Sequence, residues 1–484
     1  MGLPVVGGRR PVVVVVVGRP VQVAGRPSCF VSVLDRDLVR LAQEPGYRRW
    51  VEQVRGTGGC ARPVYLAGSS TAVDVVSGVV VRHFDTAAEP GGRLAVRCRN
   101  RRASVCPACS REHSGDTFHL VRAGLVGGKG VPGSVGGHPR LFVTLTAPSF
   151  GAVHRAGSDG CRPRSGGGSC VHGRPVGCGL VHDEGDVVVG QPVCAECYDY
   201  AGHVLWHAHV GELWSRFCRM VRRYLAREAR ARSSVGPGLS FAKVAEYQRR
   251  GAVHFHAVVR LDGPDGPDAP PPPWATAELL DDAVRMAAAS ARVTLPPSDV
   301  LGERVFRWGG QLDVRPIRSD LGDGSPVSDE AVAAYVAKYV SKSVGDAGGF
   351  DRRIRSVAEI AFAPGSPHLR ALMGMCWRLG GLPELGDLRL RAWAHTLGFR
   401  GHCLTKSRRY STTYRVLRQA RADHRQPVGS PPADPSRVVV VSSWRYVGSG
   451  HTRGEAAIAA GIAEDLAELR VWVLPRPVGR SPDG

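Results

Sequence analysis

The stretch KVAEYQRRGAVHFHAVV, residues 243–259, leaves the chain few ways to fold. Two β-prone runs flank Arg249-Arg250-Gly251, and a three-residue loop ending in glycine predicts an antiparallel hairpin. In that register Gln248 pairs with Ala252, and Glu246 with His254. His254 and His256 are two apart, so they share one face of the strand, while Phe255 turns the other way into a core. Directly opposed residues also share a face, with Cβ atoms about 5 Å apart, which brings Glu246 to the two imidazoles. Two imidazoles and a carboxylate suit a divalent ion such as Mg²⁺ or Mn²⁺, with positions left open for substrate oxygens. The plain alternative is a His-x-His pair satisfied by hydrogen bonds. The glutamate in register favours the ion.

A second segment, SDEAVAAYVAKYVSKS (328–343), predicts a helix. Ser328 is a good N-cap, and Asp329 and Glu330 sit favourably in the first turn. Tyr335 and Tyr339, four apart, share one helix face, and Lys338 and Lys342 each follow a tyrosine by three residues. The chain has only five lysines, the others being Lys129, Lys243 and Lys406. Its many arginines, with its glycine, alanine, valine and proline, look like coding in GC-rich DNA, so the lysines are the more informative cations. A tyrosine hydroxyl is a poor nucleophile at its ordinary pKa of about 10. It attacks a phosphodiester when a metal polarises the phosphate and a cation stabilises the developing charge, leaving a phosphotyrosine. The bland alternative is an amphipathic helix with packed tyrosines and solvated lysines.

The 13 cysteines include C-x-x-C pairs, which favour bound metal in a reducing cytoplasm over a disulfide framework. Cys60, Cys98, Cys106 and Cys109 are enough for a closed tetrahedral zinc site. Cys170, Cys178, Cys194 and Cys197 form the expected second set, with His172 and His182 in reserve. Cys29, Cys161, Cys218, Cys376 and Cys403 are read as structural or free. Such sites would staple glycine-rich segments that lack a core of their own.

The 484 residues carry 64 Lys and Arg against 43 Asp and Glu, for a net charge of +21 and a pI near 10.0. That excess points to a polyanionic partner, most commonly nucleic acid. No apolar run reaches the roughly 20 residues of a membrane span, so the expected location is the cytoplasm. The expected organisation is a weakly ordered arm (1–55), a cysteine-bearing zinc segment (56–135), a main domain (136–425) with a zinc-stapled insertion (151–200), and a C-terminal strand and helix with a disordered tail (426–484). Within these, strands are expected at 139–150, on both sides of Gly251, at 310–317 and at 436–447. Helices are expected at 203–232, 275–292, 328–343 and 453–471, and 353–425 reads as mostly helical.

FVTLT (142–146), HFH (254–256) and YVAKYVSK (335–342) resemble, in this order, motifs I, II and III of the HUH endonucleases. Among these the chain is most similar to two-tyrosine rolling-circle replication initiators. LFVTLTAPSFG, CAECYDYAG, ELWSRF and GHCLTKSRRYSTTY resemble the RepSA-like initiators of actinobacterial plasmids and integrative elements, and the resemblance covers roughly Cys60 to Arg425. It implies an α+β fold with a central antiparallel sheet flanked by helices. It implies that His254 and His256 bind the catalytic ion. Tyr335 or Tyr339 would attack the origin strand, keep the 5′ phosphate and release a 3′ hydroxyl as primer, while the other tyrosine resolves the product. Glu246 as third ligand rests on the register argument. The implied partners are double- and single-stranded origin DNA, a host helicase and a polymerase. A two-tyrosine transposase shares all three motifs. A non-catalytic zinc-dependent DNA-binding regulator would explain the cysteines and the charge but leave the His and Tyr patterns idle. A small-molecule metal hydrolase would need further ligands that the sequence does not offer.

Overall fold

A computed structural model describes residues 33–157, 161, 168–317, 328–340, 350, 352–424 and 437–473. In chain order the first elements are α1 (Val33–Gln43), α2 (Tyr47–Gly56), β1 (Val64–Asp74), β2 (Val80–Asp85), β3 (Leu94–Val96), α3 (Pro107–Val126) and β4 (Arg140–Leu145). Then come α4 (Tyr200–Ala231), β5 (Gly238–Tyr247), β6 (Val253–Asp262), α5 (Ala277–Ser290), β7 (Arg292–Thr294), β8 (Val305–Arg307) and β9 (Leu312–Pro316). The last are α6 (Asp329–Val340), α7 (Val357–Ala361), α8 (Pro367–Leu379), β10 (Leu404–Lys406), α9 (Tyr414–His424), β11 (Val438–Ser449) and α10 (Arg453–Val473).

The β5–β6 hairpin forms in the expected register, with Glu246 opposite His254 and the Gln248 amide bonded to the Ala252 carbonyl. Gly251 takes φ +76°, and a Cβ there would lie 2.9–3.0 Å from Leu397 and Leu369, so turn and packing both require glycine. The hairpin is the centre of a five-stranded antiparallel sheet, order β10-β5-β6-β4-β9. Alternation splits β6 between two cores. Phe255, Ala257, Val259 and Leu261 pack with Trp206, Leu213 and Phe217 of α4 and with α5 and α8. Val258, with Ala242 and Val244 of β5, packs with Leu120, Val121 and Leu125 of α3 and Val332, Val336 and Val340 of α6. The Asp199 carboxylate caps α4 by accepting from the Gly202 amide (2.8 Å).

A buried charge network ties the second core together. Arg140 on β4 pairs with Asp329 in the first turn of α6 (3.1 Å). Arg260 on β6 pairs with Asp262 (2.7 Å), whose carboxylate also contacts His138 Nδ1 (3.0 Å) and accepts from the Ser240 hydroxyl. Arg140 and Arg260 also donate to the Leu125 and Gly124 carbonyls in the last turn of α3, where a cation is favoured.

Several sequence expectations change. Residues 33–56, expected as weakly ordered, form α1 and α2, and Trp50 and Val54 of α2 bury against Ala459 and Ile462 of α10. That amphipathic face has no local partner, so the sequence of the arm alone does not explain it. The cysteine-bearing segment and the C-terminal region share one sheet, because β11 runs antiparallel along the whole of β1 in the order β11-β1-β2, with β3 also on β1. The stretch 353–425, expected as mostly helical, also supplies the edge strand β10 beside β5. β4 stops at Leu145 rather than at 150, before the Ala147-Pro148 step. Residues 1–32, with Cys29, and the tail from 474 lie outside the described residues. Among the described residues, no helix is long and apolar enough to cross a membrane.

Removing one partner of a buried ion pair costs about 3–5 kcal/mol, because the other charge is left uncompensated. Asp329→Leu should therefore lower the urea midpoint sharply, and Arg140→Leu/Asp329→Leu should regain most of the loss. Lys243 on β5 gives a pH-dependent prediction. Its ammonium is buried 3.6 Å from the centre of the Phe255 ring, and burial pushes its pKa down to about 7. Between pH 7 and its ordinary value near 10.5 the unfolded chain binds more protons, so this group makes stability rise with pH across that window. Lys243→Met should flatten the difference between midpoints at pH 7 and pH 9 and raise stability at pH 7. An unchanged difference would show that the lysine is not titrating there.

Candidate active site

β6 brings His256 to the middle of a ring of partners. Its Nδ1 lies 3.1 Å from the Thr144 hydroxyl on the neighbouring strand β4, and its Nε2 lies 3.0 Å from Glu246 Oε2 on β5. The Tyr335 hydroxyl on α6 comes to 3.3 Å from the same Nε2. A carboxylate only accepts, so in this arrangement Nε2 carries the proton and Nδ1 accepts from Thr144. Phe142 stacks on His256 (6.1 Å between centres) and meets Tyr335 edge-on (5.5 Å). Tyr339 stacks with His256 at 5.8 Å and lies tilted 4.4 Å from Tyr335, between ring centres.

His254 is different. Its ring centre is 6.5 Å from that of His256, and its buried Nε2 has no hydrogen-bond partner. Burial first, then the Arg250 charge, push its pKa down to about 3. The imidazole is therefore neutral at ordinary pH, with an unengaged ring nitrogen, which is the state a metal ligand requires. Arg250 is held by the carbonyls of Ala147 and Pro148 (3.2 Å each). Burial first, then its hydrogen bond with Tyr339, raise the pKa of Tyr335 well above the ordinary tyrosine value, so its hydroxyl stays protonated. The exposed Lys338 holds its ammonium 5.8 Å from the Tyr339 ring. Lys342 lies outside the described residues. The structure thus brings together Glu246, His254, His256, Tyr335, Tyr339 and Lys338. Sequence reasoning missed Thr144, Phe142 and Arg250 as neighbours. Only the alternation within FVTLT hinted that Phe142 and Thr144 share a face.

The cysteines gather into three four-ligand clusters, each with its ligand atoms within 4.8 Å of one another. Cys60, Cys98, Cys106 and Cys109 form the first, with Cys60 Sγ 3.8 Å from Cys106 Sγ and 3.6 Å from Cys109 Sγ. A tetrahedron of thiolate and imidazole ligands around zinc has edges of roughly 3.3–3.8 Å, and none of the described cysteines is in a disulfide. The expected second quartet does not form. His172 replaces Cys178 beside Cys170, Cys194 and Cys197, its Nδ1 3.2 Å from Cys197 Sγ and 3.8 Å from Cys194 Sγ. Backbone bonds from Cys161 to the Leu180 carbonyl (2.8 Å) and from Gly179 to the Cys161 carbonyl (3.2 Å) hold Cys178 beside Cys161 instead. Those two cysteines join His154 and His182 in a third cluster. Cys161 is therefore a candidate ligand, not a bystander.

Residues 46–464 match the RepSA family, described as replication initiator protein, pSAM2. A replication initiator protein of Streptomyces ambofaciens is 46% identical over 443 residues, covering 89% of this chain and 93% of that protein. No solved structure matches. With a family match across most of its length and a relative this similar, the chain belongs to the RepSA family of replication initiators.

Proposed function

We propose that this chain starts rolling-circle replication by nicking one strand of its origin through a tyrosine on α6. The observation that carries the proposal is the Tyr335 hydroxyl, 3.3 Å from His256 Nε2 on the hairpin that also presents Glu246 and His254. Attack by the tyrosine oxygen on the scissile phosphorus breaks the bond to the 3′ oxygen. The tyrosine loses its proton and keeps the 5′ phosphate, and the departing 3′ oxygen gains a proton and becomes a primer. A host helicase and polymerase would extend it. The name of the Streptomyces relative favours an initiator over a transposase of the same chemistry.

His254, with its unengaged nitrogen, His256 and Glu246 fit a divalent ion such as Mg²⁺ or Mn²⁺. When bound, that ion would supply positive charge to polarise the phosphate. The rest of the work falls to the chain itself. Thr144 orients His256, and its hydroxyl serves either ring tautomer because it both donates and accepts. Lys338 offers charge beside Tyr339, and Lys342 is expected to do the same. The net charge of +21 supports contact with origin DNA through phosphates. The cysteine clusters are read as zinc sites that hold the surrounding segments in shape.

His254→Ala should abolish nicking of supercoiled origin plasmid while duplex binding stays nearly intact, because arginines supply the phosphate contacts. Normal nicking by His254→Ala/His256→Ala would remove the metal argument. Tyr335→Phe and Tyr339→Phe should each retain some cleavage or joining on oligonucleotides without sustaining plasmid replication, since the second transfer needs a second hydroxyl. The double variant should form no covalent adduct with a labelled origin strand. An adduct that survives in it, or a label mapped by mass spectrometry to neither tyrosine, would make this helix merely structural.

A further inference from the structure

The insertion between β4 and α4 has little apolar core. Val171, Leu180, Val181 and Val187 are all exposed, so something other than hydrophobic burial must hold it. Its third ligand cluster is built with care. His154 Nδ1 and His182 Nε2 are 3.3 Å apart, and Cys178 Sγ is 3.1 Å from His182 Nε2. Backbone amides point at both sulfurs, Arg155 at Cys161 (3.0 Å) and Leu180 at Cys178 (3.4 Å), which favours thiolates. His182 gives its other nitrogen, Nδ1, to the Asp186 carboxylate (2.8 Å). That bond fixes the tautomer that leaves the Nε2 lone pair facing the cluster, as metal-bound histidines require.

The same Asp186 reaches the hairpin. Its carbonyl accepts from Arg249 Nη1 (3.2 Å) at the β5–β6 tip. Gly190, at φ +88°, lets the two backbones close up, since a Cβ there would stand 2.6 Å from the Arg249 carbonyl carbon. Arg249 is two residues from Gly251, and the strand that follows carries His254 and His256.

We propose that His154, Cys161, Cys178 and His182 bind a zinc ion that locks the insertion onto the tip of the β5–β6 hairpin. Two thiolates and two neutral imidazoles suit zinc, and they neutralise its charge in a half-buried place. The site is separate from the other two clusters, so the described residues offer three zinc sites. The consequence for the catalytic strand pair rests on the reading of His254 and Glu246 as site residues; the zinc count does not.

The test is metal analysis of the full-length protein purified without chelator. The native chain should hold three zinc ions, His182→Ala two, and His182→Cys three again. A native count of two, or a His182→Ala count that stays at three, overturns the site. Cobalt(II) reconstitution separates ion loss from unfolding. The tetrahedral d–d absorption should lose the contribution of one two-thiolate, two-imidazole site in His182→Ala and regain a tetrahedral band in His182→Cys. A collapse of the whole spectrum in His182→Ala that His182→Cys does not restore would count against an independent site. Hydrogen exchange reads the lock. The amides of residues 248–252 should exchange at least tenfold faster in His182→Ala. Unchanged exchange with one zinc lost would keep the site and overturn its hold on the hairpin, with the nicking proposal still standing.

Discussion

A buried ion pair, Arg140 with Asp329, anchors the start of the tyrosine helix, whose Val332, Val336 and Val340 pack in the core behind it. Arg140, Phe142 and Thr144 alternate along β4, so all three point to the α6 side of the sheet. The first holds the start of the helix, the second touches Tyr335, and the third touches His256. Tyr335 lies six residues after Asp329, or about 9 Å along the axis at 1.5 Å per residue. Arg140 and Thr144 are about 13 Å apart along the strand. One strand face thus sets both the anchoring of the helix and the orientation of the imidazole it must meet. A shift of α6 by one turn, about 5 Å, would put Tyr339 where Tyr335 now stands.

This dependence explains what the sequence could reveal. The hairpin was legible because its loop, its glycine and its register are local, and Glu246 falls opposite His254 by counting alone. The tyrosine face was legible for the same reason, from spacing within one helix. Thr144 was not, because nothing in its own segment says that β4 lies beside β6 with Thr144 opposite His256. The cysteines show the same limit. Cys60, Cys98, Cys106 and Cys109 meet as counted, while Cys178 leaves its expected set because backbone pairing of Cys161 with Leu180 carries it elsewhere. In α1 and α2, the apolar face of Trp50 and Val54 answers to α10, some four hundred residues along the chain.

The chain solves two stability problems differently. Around the central sheet, apolar side chains on α4, α5 and α8 on one face, and α3 and α6 on the other, supply cores that fix the hairpin. The insertion and the segment around Cys60 have small cores and gather thiols and imidazoles instead. Metal ligation suits segments rich in glycine, since one ion fixes four points without needing a continuous apolar face. The insertion meets the hairpin tip at Arg249, while Gly251 and Ala252 beside it are packed by the large core.

The ring of partners around His256 sets two groups in competition for one nitrogen. Its Nε2 is approached by both Glu246 and Tyr335, and one ring nitrogen with one proton cannot satisfy both. Glu246 wins the proton because it only accepts, so Tyr335 is held by its hydrogen bond with Tyr339 and by ring packing against Phe142 and Tyr339 more than by the imidazole. On the proposed reading, His256 Nε2 and Glu246 would help to hold a divalent ion, and the Tyr335 hydroxyl beside them is the group offered to a phosphate. Tyr339, one turn further on, stacks with the same imidazole at 5.8 Å between ring centres. With ring centres 4.4 Å apart, the two tyrosines share one helix face, and on the proposed reading a one-turn shift of the helix would bring the second to the place of the first without a second site.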